Sequence, residues 1–116
     1  MGNTLTNTST SSTHIDEKIN TNCIVVYSTT VCGFCTKAKR LMDEMGLQYS
    51  VVEIDRLSPS EGGVVSRSLT EKTNMRTVPQ IFINGNLIGG YSELIALQRT
   101  GNLLRRVAEC DVNCSK

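Results

Sequence analysis

The sequence predicts a single α/β domain, a mixed four-stranded sheet flanked by helices. Three observations predict it. A continuous β-branched run, Cys23-Ile24-Val25-Val26-Tyr27, is followed by apolar residues at helical spacing and then by a second extended apolar stretch. Further on, Val78-Pro79-Gln80-Ile81-Phe82-Ile83 meets Asn84-Gly85 and then Asn86-Leu87-Ile88, the pattern of a hairpin with a two-residue primed turn. A length of 116 residues is enough for one such core.

The elements follow in order. Residues 1–14 are almost all Thr, Ser, Asn and Gly, a composition that buries too little apolar surface to offset ordering, so a disordered tail is expected there and a domain over 15–116. Ile15 to Asn20 reads as a short helix, and Cys23 to Tyr27 as a strand buried on both faces. Phe34, Ala38, Leu41, Met42 and Met45 form a helical stripe that Gly46 stops. Gln48 to Asp55 returns to a strand, which should pair in parallel with the first by a right-handed crossover. Ser58 to Gly63 reads as a loop and Val64 to Thr73 as a helix. After the hairpin, Gly89-Gly90 breaks the strand, and Tyr91 to Thr100 and Asn102 to Cys110 are two closing helices separated by Gly101.

Composition excludes several classes of function. Twelve Lys and Arg against 11 Asp and Glu leave no field that draws nucleic acid or an acidic substrate. No apolar run approaches the ~20 residues needed to span a bilayer, and the first residues carry neither a signal core nor the arginines of a transit peptide. A cytoplasmic protein is expected rather than a mitochondrial one. Met1-Gly2-Asn3-Thr4-Leu5-Thr6 matches the permissive N-myristoylation pattern that would give a lipid-anchored form, but an unmodified tail is the plainer reading. The single His14 sits in the polar tail, which argues against hydrolytic triads and imidazole-rich metal sites.

Five cysteines remain, an odd count that does not suit a fully paired secreted framework. Cys32-Gly33-Phe34-Cys35 stands where the first strand hands over to a helix. Unpaired N–H groups at a helix start stabilise a thiolate there, so Cys32 is placed to attack and Cys35, one turn later, to resolve the mixed disulfide. Lys37, Lys39 and Arg40 add positive charge nearby. A Cys-x-x-Cys pair beside a strand, helix, strand unit is the signal of a thioredoxin-like redox fold. The competing reading is half of a zinc site completed by Cys110 and Cys114. For Cys23, an inert packed thiol and a bracing disulfide to Cys110 both stand, and a Cα separation below about 7 Å decides between them.

Taken in order, Cys32-Gly33-Phe34-Cys35, Thr77-Val78-Pro79, Ile83-Asn84-Gly85 and Gly89-Gly90 with Ser92-Glu93 resemble the glutaredoxin family, over about Ile15 to Cys110. The chain looks most like its short dithiol vertebrate-type members. The resemblance implies glutathione as cosubstrate and glutathionylated or disulfide-containing proteins as partners. It implies that Val78, beside a cis Pro79, pairs with the glutathione backbone, that Arg76 lies near the glycine carboxylate with Thr77 a further contact, and that the Gly89-Gly90 turn, with Ser92 and Glu93, holds the γ-glutamyl end. Thr29 and Phe34 complete the implied contacts. Thr29 stands where the family usually has lysine, which removes a cation and predicts weaker glutathione affinity or compensation by Arg76. Glu93 is one methylene longer than the family's usual aspartate. Gly33 stands where many dithiol members have proline, and members with glycine or serine there resemble those that hold a [2Fe-2S] cluster between two protomers. Cys32 would then be the protein ligand, in a homodimer rather than a monomer.

Overall fold

The computed structural model describes residues 14–110. The expected tail over residues 1–13, with Gly2, and the cysteine at 114 lie outside the described residues; His14, assigned to that tail, is the first residue of a helix, α1, over residues 14–21. The chain continues as β1 (Ile24–Ser28), α2 (Gly33–Glu44), β2 (Ser50–Glu53), a single 3-10 turn (Ile54–Arg56), α3 (Pro59–Thr73), β3 (Gln80–Ile83), β4 (Asn86–Gly89), α4 (Tyr91–Arg99) and α5 (Asn102–Ala108). The sheet order is β2-β1-β3-β4, with β1 parallel to β2 and antiparallel to β3, and β3 antiparallel to β4. This is the expected thioredoxin-like arrangement.

Alternation along β1 and β3 divides the core between the two faces of the sheet. Ile24 and Val26 join Ile81, Ile83, Ala38, Met42, Leu94 and Leu103 on one face, under α2, α4 and α5. Val25 and Tyr27 join Phe82, Ile15, Ile19 and Leu69 on the other, under α1 and α3. All five residues of β1 are buried, as a strand covered on both faces must be. Asn84 and Gly85 both take positive φ, 55° and 80°, which is the primed turn the hairpin requires.

Three boundaries differ from those predicted. The predicted loop from Ser58 to Gly63 is instead the first turn and a half of α3. Ser58 is its N-cap, Pro59 its first residue, and Ser58 and Glu61 close a capping box. Gly62 belongs to a close approach rather than to a loop: a Cβ there would stand 3.1 Å from the Ile54 carbonyl oxygen. The strand predicted to reach Asp55 ends at Glu53, because the chain turns into the 3-10 turn and Asp55 faces back toward the β1 end. The strand predicted to break at Gly89 includes it, paired with Ile81 across a bulge.

Tyr27 is buried and packs edge-on to Phe82 at 5.9 Å. Burial, aided by the charge of Asp16, pushes its phenol up to about 12. A raised folded-state pKa gives stability that is whole below about pH 10 and lost as pH rises through about 12. Melting across that window should therefore fall more steeply in the wild type than in Tyr27→Phe, by about 2 to 3 kcal/mol. Equal slopes would exclude Tyr27 as the alkaline trigger.

Candidate functional site

Cys32 is the N-cap of α2, with extended backbone (φ −98°, ψ 117°), and its sulfur accepts the Cys35 N–H at 3.1 Å. A sulfur in the capping position takes the place of the oxygen that Ser or Asp would supply, and it satisfies one of the helix's unpaired donors. Cys32 is partly exposed and Cys35 fully buried, and both are unbonded thiols. Burial raises the Cys35 thiol above the ordinary cysteine range. A hydrogen bond with Cys32 acts in the same direction, and bonds from the Ser28 side chain and the Thr29 backbone oppose it. The two sulfurs thus stand in different settings, one reachable from solvent and one held as a thiol in the core.

The Val78-Pro79 peptide bond is cis. It turns the Val78 carbonyl toward Cys32, whose thiol reaches it at 3.5 Å. Gly90 packs behind, where a Cβ would stand 3.4 Å from the Pro79 carbonyl oxygen. Phe34 is 58% exposed and meets Tyr91 at 5.9 Å between ring centroids, with the Lys37 ammonium over the Phe34 ring, 5.4 Å from its centroid. The geometry therefore brings Cys32, Phe34, Val78, Pro79 and Gly90 together. Arg76, Thr77 and Ser92 are exposed and flank this group along the chain, and the carbonyl of Thr29 accepts the Cys32 N–H at 3.4 Å. Glu93 turns back on its own helix: its carboxylate accepts the Gly90 N–H at 2.8 Å, half of a capping box, since Gly90 has no side chain to return the bond. Of the three cations near the cysteines, Lys39 pairs with Glu53 at 2.7 Å.

Three residues of consequence carry no motif. Tyr91 is one, Asp55 another. The third is Gln80, whose amide is 2% exposed yet fully bonded: it donates to the carbonyls of Met75 and Thr77, at 3.0 and 3.1 Å, and accepts the Thr73 hydroxyl at 3.0 Å. In a strand pattern Gln80 reads as an ordinary polar position, so only its total burial reveals it as the hub of the loop that carries Arg76 to Pro79. Gln80→Leu keeps the bulk and strands those carbonyls, at a cost of about 1 to 3 kcal/mol. Melting should show that loss while the rate of Cys32 alkylation stays near wild type. An unchanged midpoint would exclude Gln80 as the support of that loop.

Cys23 and Cys110 are joined in a disulfide, with a Cα separation of 5.6 Å. This settles the choice left open for Cys23 and removes Cys110 from any zinc set. Among the described residues no group of three or more His, Cys, Asp or Glu side chains is placed to hold a metal ion, and no helix is long and apolar enough to cross a membrane.

Comparison with known proteins places these features in a family. The glutaredoxin family model matches residues 24–88. The mitochondrial glutaredoxin-2 of Bos taurus is 42% identical over 102 residues, covering 88% of this chain and 64% of that protein. The human mitochondrial glutaredoxin-2 is also 42% identical, with 88% of this chain and 61% of that protein covered, so the chain spans somewhat less than two thirds of these relatives. Among solved structures, a buckwheat glutaredoxin–glutathione complex superposes with a TM-score of 0.84 at 33% identity, covering 90% of this chain and 94% of the other.

Proposed function

The chain belongs to the glutaredoxin family, and from that premise we propose that it is a glutathione-dependent thiol-disulfide oxidoreductase that reduces protein-glutathione mixed disulfides and protein disulfides. The observation that carries this reading is the asymmetry of the pair: Cys32 exposed at a helix N-terminus with an N–H on its sulfur, Cys35 buried behind it. The Cys32 thiolate attacks the glutathionyl sulfur of the mixed disulfide, the substrate thiolate leaves and takes a proton, and Cys32 holds the glutathionyl group. Glutathione thiolate then attacks that sulfur, releasing glutathione disulfide and restoring Cys32. Alternatively Cys35 loses its proton and attacks, releasing glutathione and leaving a Cys32–Cys35 disulfide for two further glutathiones to reduce.

The backbone around Cys32 supports glutathione as the partner. Val78, next to the cis bond, offers backbone groups for an extended peptide, and the first turn of α4, Tyr91 to Glu93, offers helix-start N–H groups for a carboxylate. Thr29, Phe34, Arg76 and Thr77 complete the proposed contacts. The test is turnover of the mixed disulfide of glutathione and mercaptoethanol, coupled to glutathione reductase and NADPH. Consumption no faster than without the protein would sink the proposal.

A second reading, a glutathione-ligated [2Fe-2S] cluster shared by two protomers, draws on Gly33. Nothing lies within 4 Å of where its Cβ would stand, so the space beside the partly exposed Cys32 is open. Of the free thiols among the described residues Cys32 is the partly exposed one, and the remaining ligands would come from glutathione and a second copy. Bound there, such a cluster would supply carrier or redox-sensing chemistry. Anaerobic purification with glutathione should then give a brown dimer that bleaches to colourless monomer in air. A colourless monomer after attempted reconstitution excludes this reading.

A further inference from the structure

We propose that Asp55 is a positioning residue for Cys32 that acts through Thr30, an inference that rests on the thiol chemistry assigned to Cys32 above. The Thr30 backbone N–H donates to both Asp55 carboxylate oxygens, at 3.0 and 3.1 Å, and the Thr30 hydroxyl donates to Oδ2 at 2.5 Å. The two residues are 25 apart in the chain, and the contact ties the end of β2 to the loop between β1 and α2 that delivers the nucleophile. Its first residue, Thr29, is tied down by the Ser28 hydroxyl at 3.2 Å and by a backbone bond to the Cys35 thiol, which leaves Thr30 and Val31 as the part the clamp must hold. Thr30 is exposed and Val31 is 88% exposed, so burial does not hold it. The turn it makes onto Cys32 is closed by a long 3.4 Å bond from the Cys32 N–H to the Thr29 carbonyl. On the far side of Cys32 stands Gly33, whose backbone meets no neighbour that a side chain would touch. A charged fork onto one backbone N–H and one hydroxyl is therefore the fixed point from which the Cys32 sulfur is aimed at the Cys35 N–H.

The Asp55 carboxyl is held below the ordinary carboxylate range, first by the Thr30 hydroxyl and then by the Thr30 N–H. The fork is thus charged throughout the neutral and mildly acidic range. Its role is orientation: with the fork cut, the loop samples positions in which the Cys32 sulfur leaves the cap of α2, and the share of molecules with an aligned nucleophile falls.

The test compares Thr30→Val, Asp55→Asn, their double variant and Thr30→Ser in the full chain. The readouts are the rate of Cys32 alkylation by iodoacetamide, followed by peptide mass, and the melting midpoint. Thr30→Val and Asp55→Asn should slow alkylation about three- to tenfold while the midpoint of these exposed substitutions moves by less than about 5 °C. Thr30→Ser, which keeps N–H and hydroxyl, should restore the rate, and the double variant should lose little more than either single one. Should Asp55→Asn fail to fold, Thr30→Val carries the comparison alone. Unchanged alkylation in Thr30→Val, a loss that Thr30→Ser shares in full, or losses that multiply in the double variant would overturn the proposal. Alkylation needs no glutathione, so a chain inert toward glutathione disulfides but showing these losses would refute the proposed function and leave the clamp standing.

Discussion

Cys32→Ser should abolish reduction of a glutathione mixed disulfide, by about 10³-fold or more, whereas Cys35→Ser should keep it within a factor of about three. The difference follows from what each sulfur can be replaced by. Cys32 is the partly exposed thiol, and its sulfur takes the helix N–H, so a serine hydroxyl there leaves no nucleophile at neutral pH. Cys35 acts only after the glutathionyl group is on Cys32, and free glutathione can do its work. Burial holds Cys35 as a thiol and makes it slow to compete. On a protein disulfide the second thiol has no such substitute, and the same Cys35→Ser variant should lose activity by about tenfold or more when glutathione is scarce. The pH dependence has a definite sign. Because the Cys35 pKa is raised, its thiolate share keeps growing as pH rises above neutral, so the advantage of wild type over Cys35→Ser on protein disulfides should widen from about pH 7 to about 9. Steady-state rates of the two variants on both substrates check all of this; equal losses in both would show that the pair acts only as a dithiol.

Much of the fold is legible in the sequence wherever a short-range rule has no competitor. The Asn84-Gly85 turn is one case, since both residues must take positive φ and an apolar run stands on each side. The β1 run is another, because a continuous β-branched stretch has no solvated face to offer. The start of α3 was obscured by Gly62-Gly63, which reads as a loop until the Ile54 carbonyl is seen to require a residue without a Cβ; the Ser58 to Glu61 spacing was the signal that could have outweighed it. At the candidate site the motif residues are visible and their supports are not. Gln80 and Asp55 each bond backbone groups as well as one threonine hydroxyl far from any motif, and backbone partners leave no mark on the partner's residue type. The cis state of Val78-Pro79 is equally silent, because the same dipeptide is found in both isomers.

Removing the Cys23–Cys110 disulfide should destabilise the domain strongly and leave its chemistry intact. The bond closes a loop over a sequence separation of 87, and closing a loop of that length in the unfolded chain is costly; stabilisation of about 2 to 4 kcal/mol is typical. For a domain of this size that corresponds to a fall in melting midpoint of about 10 to 25 °C. Both cysteines are 1% exposed and lie in the core cluster beneath α5, so the change should be made as the double variant Cys23→Ala with Cys110→Ala, which leaves no buried thiol unpaired. Reductant should lower the midpoint of the wild type toward that of the double variant and leave the double variant where it is. The effect on catalysis should be small, for a topological reason. Cys23 precedes β1 and Cys32 follows it, so the brace and the nucleophile stand at opposite ends of one buried strand, about 17 Å apart along its five residues. Strand β1 is paired on both sides, to β2 and to β3, and this pairing holds its site end without help from the disulfide. Turnover measured well below the variant's midpoint should therefore match wild type within a factor of about two. If turnover falls along with stability even there, the register of β1 against its neighbours depends on the brace, and the disulfide belongs to the machinery that places Cys32 rather than to the stability of the core alone.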